Sequence, residues 1–479
     1  MSPLTSLHAT GAAGTGQRSR GVIATAVAAV VATTLLAACD ARPPVGEVGN
    51  ISGAIGAVAA VEPAATLVAQ DTLSAGGTAA DAVTAAYFTL LVTYPVAVGV
   101  GGGGICVTYD RESNVAETLD FRAGQGSGTV PVPGTLRGMA ALHARYGRLP
   151  WTQLIGPAES NARFGVPMSR ALARRVAENE AAIRADKGLA ELFVNEQGAL
   201  RGEGDPLRQV ALSSVLGAVR SRGVGDFYGG ESGRALVEAV ELAGESLAVD
   251  DLRAYRATWR KTLRQELDNV TFHAPAEVGA GGTIAKLLQT LPAGGGGEAM
   301  VAASRAAYAG GADVPERPGD AGVVAIDRRG NGVACAFTLR QDFGSGRMAR
   351  ASGVILSAAD TNADAALAPV VGANMNTDQV YFAGVASGGW PAALAVAAVA
   401  RGVSSSDDLS AAIAAPRAAQ AGAGGPVLAE QGAGVGVAKT VPALGLVQAG
   451  WCSNGAKSNP ERCQGRSDPR GFGLGEDGG

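Results

Sequence analysis

This 479-residue chain has few histidines and no large excess of positive or negative charge. Its three histidines, His8, His143 and His273, lie far apart in the sequence, which excludes a histidine-rich metal centre. Charged residues make up 17% of the chain, and 39 Lys and Arg stand against 43 Asp and Glu. Nucleic-acid binding requires clustered basic residues, so this balance excludes that class of function. We expect no metal and no other cofactor.

The chain also lacks a repeat of fixed period and an apolar run clearly long enough to span a membrane. The run at 22–38 has 17 residues, follows a pair of arginines and ends in Leu-Ala-Ala-Cys at Cys39. These features are typical of a secretory signal, and the ending resembles a bacterial lipobox. We predict a signal peptide at 1–38, a tether at 39–54 and export as a cell-envelope lipoprotein on the periplasmic face of a bacterial membrane. An uncleaved anchor and a plain signal peptide remain open.

Cysteine is rare, with five residues in the whole chain. Cys39 is the predicted site of lipid attachment. Cys452 and Cys463 bracket a polar loop, and we predict a disulfide between them in an oxidising compartment. Cys106 and Cys335 stand within apolar strand patterns and are predicted to be buried free thiols.

Glycine, by contrast, is abundant at 70 residues, about twice its usual share, so isolated glycine motifs carry little weight. The run at 99–104 follows a helical pattern and opens a strand, which is the reverse of a phosphate loop and argues against a nucleotide site. Two helices are predicted between 57 and 95, and helical patterns between 133 and about 263. Strands in the middle and late chain, with helices around them, favour α+β layers.

A β-hairpin is predicted over PGDAGVVAIDRRGNGVACAF, residues 318–337, because two apolar runs flank an Arg-Arg-Gly-Asn-Gly turn. The Pro-Gly pair leads abruptly into the first strand, as if its first residue, Asp320, were presented to a ligand. Arg122 stands where another strand ends. Its planar guanidinium could hold a substrate carboxylate or form a surface ion pair.

Motifs spread over most of residues 55–471 resemble the γ-glutamyltranspeptidase family. In chain order they are GGTAADAVTAA, GVGGGGICVTYD, ETLDFR, VPVPGTLRGMAALHARYGRLPW, DFYGG, VDDLRAY, GAGGTI, AIDRRGNGVACAFTL, FGSG, SGVIL, GVASGG, AAIAAPR and SDPR. One such motif would be weak, but this many in one order is a specific resemblance.

The resemblance implies an α+β, N-terminal-nucleophile (Ntn) hydrolase fold, an αββα sandwich. It implies a large-subunit-like part at 55–312 and a small-subunit-like part at 313–479, intertwined as one domain. Members cut themselves before a threonine, whose new α-amino group then serves as its general base. They transfer the γ-glutamyl group of glutathione to water or to an amino acid.

The resemblance also assigns roles to individual residues that this chain retains. Arg122 matches the arginine that holds the substrate α-carboxylate. Gly388 and Gly389 match the glycine pair whose N–H groups form the oxyanion hole. Thr338 matches the threonine that supports the nucleophile.

Other positions depart from the family pattern. Asp320 stands at the nucleophilic threonine, and no Thr or Ser occurs between positions 308 and 337. Arg340 replaces an asparagine that binds substrate. Asn362 occupies the position of the family's acidic residue that binds the substrate amino group, and Asp360 and Asp364 lie close by.

These substitutions predict a degenerate member of the family, uncleaved and without transpeptidase activity, because Asp320 cannot attack its own preceding peptide. The predicted partners are a glutamate-like or γ-glutamyl small molecule bound through Arg122, and a membrane reached through the lipid on Cys39. Two alternatives stay open: an active γ-glutamyl or amide hydrolase with displaced machinery, and a membrane-tethered scaffold with a vestigial pocket.

Overall fold

An antiparallel ladder of strands runs through the middle of the molecule. The computed structural model describes residues 55–310 and 319–477. Cys39, the predicted segments at 1–38 and 39–54, and the predicted boundary at 312/313 lie outside the described residues. Within the described residues, no helix is both long enough and apolar enough to span a bilayer.

The strands, numbered in chain order, are β1 (Gly56–Ala60), β2 (Gly103–Asp110), β3 (Val115–Asp120), β4 (Val166–Pro167), β5 (Pro206–Leu207), β6 (Thr258–Leu267), β7 (Val270–Pro275), β8 (Asp320–Asp327), β9 (Gly332–Thr338), β10 (Met348–Ala349), β11 (Val354–Ile355), β12 (Ala368–Asn374), β13 (Gln379–Ser387), β14 (Ala418–Gln420), β15 (Val427–Ala429), β16 (Lys439–Thr440), β17 (Leu446–Cys452), β18 (Cys463–Ser467) and β19 (Leu474–Glu476). The ladder has the order β18-β17-β13-β12-β7-β6-β3-β2-β9-β8-β1-β19. Strands from 55–312 and strands from 313–479 therefore occur in alternating blocks within it.

The helices are α1 (Pro63–Ser74), α2 (Ala79–Thr93), α3 (Thr135–Tyr146), α4 (Trp151–Phe164), α5 (Arg170–Glu178), α6 (Glu180–Ala185), α7 (Lys187–Phe193), α8 (Val210–Arg222), α9 (Val224–Gly229), α10 (Glu231–Leu242), α11 (Val249–Ala254), α12 (Gly281–Thr290), α13 (Gly297–Ala307), α14 (Ala392–Ser406) and α15 (Leu409–Ala414). A capping box formed by Thr78 and Asp81 begins α2. Every residue of α2 is buried, because this helix is apolar on all faces.

The ladder folds back on itself, so that β12, β13 and β17 stack on β1, β2, β8 and β9. Alternate residues of each strand point to opposite faces, and one set fills the space between the two halves. In β8, Val324 and Ile326 join this inner layer, with Val385 of β13 among their partners. Val323 and Ala325 point the other way, towards helices.

Two helical layers cover the outer faces. Helices α1 to α11 pack on the outer face of β1, β2, β3, β8 and β9. Helices α12 to α15 pack on the outer face of β7, β12, β13 and β17. The α+β, αββα layering expected from the sequence is therefore confirmed.

Two secondary-structure predictions were wrong in detail. Residues 57–60 belong to β1 rather than to a helix, because they pair with both β8 and β19. The helical pattern near 263 ends early: α11 stops at Ala254, and Thr258–Leu267 form β6 between β3 and β7. In both places strand pairing overrides the local helical pattern: β1 pairs with distant strands, and β6 pairs with the distant β3 and with β7, which follows it directly.

The prediction of free thiols at Cys106 and Cys335 was also wrong. The two residues stand directly opposite each other on β2 and β9, and a disulfide joins them. The sequence could not show this register, since 229 residues separate the pair. A second disulfide joins Cys452 and Cys463, which are opposite each other on β17 and β18.

Candidate active site around Asp320

Asp320 is the first residue of β8 and pairs with Thr338 of β9. The carbonyl oxygen of Gly319 accepts hydrogen bonds from Thr338 Oγ1 at 3.0 Å and from the backbone nitrogen of Leu339 at 2.9 Å. A Cβ atom on Gly319 would lie 1.9 Å from the carbonyl oxygen of Gln341, so only glycine fits there. The peptide before Asp320 is thus fixed by two hydrogen bonds to its carbonyl oxygen and by the close packing of Gly319 against Gln341.

The carboxylate of Asp320 meets the glycine pair that follows β13. The backbone nitrogen of Gly388 lies 3.1 Å from both Oδ1 and Oδ2 of Asp320. Gly388 and Gly389 have φ angles of +105° and +79°, a backbone region that residues other than glycine rarely adopt. The strand start and the glycine turn therefore form one site. In it, the Asp320 carboxylate accepts a hydrogen bond from the Gly388 N–H, the group to which the family resemblance gives the role of binding an oxyanion.

Burial raises the pKa of Asp320 to about 7, against an ordinary 3.8. The N–H of Gly388, the charge of Arg175 and the N–H of Gly389 oppose this rise, while the charge of Asp342 adds to it. Near neutral pH, Asp320 is therefore divided between its neutral and charged forms.

Arg175 and Asp342 are site residues that sequence reasoning missed. Arg175 of α5 forms an ion pair with Asp342, whose Oδ2 also accepts a hydrogen bond from Asn179 Nδ2 at 2.8 Å. Burial raises the pKa of nearby Tyr94 to about 12, and the charges of both residues act on that hydroxyl. Asp342 lies just beyond the hairpin and could have been noticed, but no sequence pattern marks Arg175, because it comes from a helix remote in the chain.

Arg122 lies two residues beyond β3 and forms a two-pronged ion pair with Asp120. The distances are 2.9 Å from Nε to Oδ1 and 3.0 Å from Nη2 to Oδ2. Arg260 Nε also reaches Asp120 Oδ2, at 3.1 Å. Burial opposes ionisation of Asp120, but the two arginines outweigh it and hold the pKa of Asp120 below its ordinary value. The ion-pair interpretation of Arg122 is thus realised, while its side chain stays 31% exposed.

Arg122 lies at the same end of the ladder as Asp320. Asp320 pairs with Thr338, and Thr338 pairs with Gly103. A Cβ atom on Gly103 would lie 2.6 Å from Cα of Arg122. Three strand spacings of about 4.8 Å put the backbones of Asp320 and Arg122 roughly 14 Å apart.

Arg340 is 1% exposed and ties this end of the sheet together. Its guanidinium binds Asp364 through Nε to Oδ1 at 3.1 Å and Nη2 to Oδ2 at 3.0 Å. Nη1 donates to the carbonyl of Ala358 at 3.0 Å, and Nη2 to that of Ala123, beside Arg122, at 2.9 Å. Arg340 thus holds three segments together.

Asp364, rather than Asn362, is the residue buried at this site. Burial raises the pKa of Asp364, while Arg340 and Arg122 both oppose the rise. Asn362 begins the 3₁₀ helix that contains Asp364, but its side chain is exposed. Asp364 lies two positions after Asn362, and the short 3₁₀ helix turns the Asp364 side chain inward.

The chemistry available here comes from carboxylates, guanidinium groups and backbone N–H groups. Among the described residues, no cluster of three or more His, Cys, Asp or Glu side chains is arranged to hold a metal ion. Thr338, the retained hydroxyl, is buried, and its Oγ1 accepts from the backbone nitrogen of Arg340 at 2.7 Å. It therefore supports the turn after β9.

Comparisons with known proteins bear on the family and the fold of this chain. Residues 65–302 match the sequence model of γ-glutamyltranspeptidase. Glutathione hydrolase 2 of Arabidopsis thaliana is 32% identical over 256 residues, which is 50% of this chain and 44% of that protein. The glutathione hydrolase proenzyme of Pseudomonas aeruginosa is 29% identical over 258 residues, 49% of this chain and 45% of that protein. The matched part thus spans less than half the length of these relatives.

A solved structure resembles the fold over nearly the whole chain. Cephalosporin acylase from Bacillus halodurans superposes with a TM-score of 0.72 at 19% identity, covering 91% of this chain and 98% of the other. At that identity the likeness speaks for the fold alone, which is the αββα sandwich described above. The ordered motifs, the stacked sheets that present Asp320 at a strand start and the matches over 65–302 establish that this chain belongs to the γ-glutamyltranspeptidase family.

Proposed function

We propose that this protein is an uncleaved, catalytically inactive member of its family that binds a glutamate-like or γ-glutamyl small molecule. The observation that carries the first half is the contact between the Asp320 carboxylate and the N–H of Gly388. Self-cleavage needs a hydroxyl or thiol that attacks the preceding carbonyl, and a carboxylate cannot take that role.

The same contact argues against turnover of an amide substrate. An oxyanion hole works because its N–H groups are free to receive charge that develops on the substrate oxygen. Here the N–H of Gly388 already donates to both carboxylate oxygens of Asp320, at 3.1 Å each. A substrate oxygen would have to displace a carboxylate that is charged in part of the molecules at neutral pH.

Arg122 supports the binding half of the proposal. Its Nε and Nη2 are engaged by Asp120, but among the described residues its Nη1 has no hydrogen-bond partner. A ligand carboxylate could bind there without breaking the ion pair. Asp364, whose charge acts on Arg122, offers a negative group for a ligand ammonium, provided that Arg340 shares it.

Export to the cell envelope is also part of the proposal. Two disulfides lie within the described residues, and disulfides persist mainly in oxidising compartments. Attachment through Cys39 predicts that a lipid-labelled form is recovered from cells and is lost in Cys39→Ala. Unchanged labelling of that variant would contradict the tether.

The first experiment is the intact mass of the purified chain, together with hydrolysis of a chromogenic γ-glutamyl anilide. A single full-length species without turnover is expected. Two fragments divided before Asp320 would overturn the proposal and favour an active hydrolase with displaced machinery.

Ligand binding is tested by calorimetry with glutamate and glutathione on the chain and on Arg122→Ala. Saturable heat that is lost in the variant supports binding at Arg122. A matched control is Arg253→Ala, because Arg253 is exposed and its one ion pair within the described residues is with Asp250 in α11. Absence of heat with both ligands would contradict the binding half and leave a scaffold with a vestigial pocket.

A further inference from the structure

A second charged cleft lies at the end of the ladder opposite Asp320. Strand β8 runs from Asp320 to Asp327, about 24 Å at 3.4 Å per residue, and the turn to β9 then follows. The cleft beside this turn has a volume of about 440 Å³. It is therefore separate from the site around Asp320.

Four arginines from separate positions of the chain line this cleft. Arg111 follows β2, Arg145 belongs to α3, Arg148 comes just after α3, and Arg329 lies in the β8–β9 turn. Arg145 is paired with Glu117 at 2.7 Å. Among the described residues, the other three form no ion pair.

Arg111 and the β8–β9 turn are packed together. The backbone nitrogen of Arg111 donates to Asn331 Oδ1 at 2.8 Å. Cδ of Arg111 lies 3.0 Å from the place that a Cβ on Gly330 would take. The Arg111 side chain therefore crosses the turn next to Arg329, which brings two cations of like charge to one surface.

Arg111 also has a polar atom that the protein leaves unsatisfied. Its Nε is buried and has no hydrogen-bond partner within the described part of the chain. A buried donor without a partner destabilises the fold. Arg111 as a whole is half-buried and lines the cleft, so an anion there would find its guanidinium group as a donor.

Within the described residues, the acidic groups of the cleft form no ion pairs with Arg111, Arg148 or Arg329. Asp110 accepts hydrogen bonds from the backbone and hydroxyl of Ser113, at 2.9 and 2.6 Å. Glu112 is exposed, and neither carboxylate forms an ion pair with a described residue. Asp81, buried behind the cleft, accepts the backbone N–H of Arg148 at 2.9 Å rather than its guanidinium.

We propose that this cleft, the Arg111–Arg148–Arg329 cleft, binds a phosphate-bearing anion of about pyrophosphate size. Guanidinium forks match phosphate oxygens in pairs, and three forks exceed what one carboxylate can accept. The volume also exceeds the needs of a single small anion. The phosphate could belong to a soluble ester or to a phospholipid headgroup.

The test is calorimetric titration of the full chain with sodium pyrophosphate, against sodium chloride of equal ionic strength. We expect saturable one-to-one binding, weakened at least tenfold in Arg111→Gln and in Arg329→Gln. Arg328→Gln is the matched control, because Arg328 is exposed on the same turn and does not line the cleft. No saturable binding, or equal weakening by Arg328→Gln, would overturn the proposal.

Vesicles of phosphatidylcholine with and without phosphatidic acid distinguish the two sources of phosphate. Binding to the phosphatidic acid vesicles that pyrophosphate displaces indicates a headgroup, while pyrophosphate binding without vesicle binding indicates a soluble ester. Thermal melts without ligand check that each variant folds. Arg329→Lys gives a second measurement if Arg329→Gln does not fold, and it should lose affinity because lysine lacks the planar fork.

Discussion

The backbone N–H of Gly388 lies 3.1 Å from each carboxylate oxygen of Asp320. The N–H that the family resemblance assigns to an oxyanion hole thus donates to the Asp320 carboxylate instead. The strand start, the supporting Thr338 and the glycine turn keep their arrangement around that group.

Asp320→Thr should restore the missing hydroxyl without disturbing the backbone. Because the peptide before position 320 is held by Thr338 and Leu339, we expect the variant to cut itself slowly before residue 320. Intact mass spectrometry over days would detect two fragments. Asp320→Ala should remain whole, and an uncut threonine variant with a normal melting temperature would show that maturation needs more than the nucleophile.

Stability should respond to pH through Asp320. Its pKa is about 7 when folded against 3.8 ordinarily, so the folded state holds the proton more tightly. The free energy of unfolding therefore falls as the pH rises from about 4 to 7, and the loss is complete above 7. Asp320→Asn removes this contribution.

Between pH 4 and pH 7, the unfolding free energy of Asp320→Asn relative to that of the unaltered chain should rise by on the order of 1–2 kcal/mol. Partial exposure of Asp320 makes this smaller than the full pKa shift would give. Urea unfolding at several pH values measures it. Asp327, whose burial raises its pKa to about 6, is present in both proteins and cancels in the difference. A difference independent of pH would contradict the assignment.

The buried pair of Arg340 and Asp364 should be sensitive to loss of either partner. Asp364→Asn leaves the guanidinium without a counter-charge, at a cost of roughly 3–5 kcal/mol of unfolding free energy. Arg340→Met combined with Asp364→Leu should cost less than Asp364→Asn alone, because no charge is left buried. Denaturant unfolding of both variants decides this, and a mild effect of Asp364→Asn would show that water reaches the pair.

The disulfide between Cys106 and Cys335 should stabilise the fold by joining distant parts of the chain. It closes a loop across 229 residues, so replacing both cysteines with alanine should cost about 2–5 kcal/mol. The double alanine variant at Cys452 and Cys463 is a control, since 11 residues separate that pair and the entropic effect is smaller. Equal losses in the two variants would point to packing rather than loop closure.

The order of motifs predicted the family and the layered fold, because each motif lies within a short stretch of sequence and can be recognised from neighbouring residues. The hairpin from Asp320 to Thr338 is an example, since its apolar runs and its turn lie within one short segment. The strand at 57–60 could not be predicted, because its hydrogen bonds come from strands far away in the sequence. The strand at 258–267 pairs both with the distant β3 and with β7, which follows it directly, and its local pattern resembled a helix.

The sequence by itself determined that no hydroxyl stands at the nucleophile position, since identity at a position is read directly. Only the tertiary structure decided where the Asp320 carboxylate points, that Arg122 is already paired with Asp120, and that Asp364 rather than Asn362 is buried. The reason is physical: hydrogen bonds, ion pairs and burial depend on groups that the folded chain brings together from remote segments, and no local pattern encodes their distances.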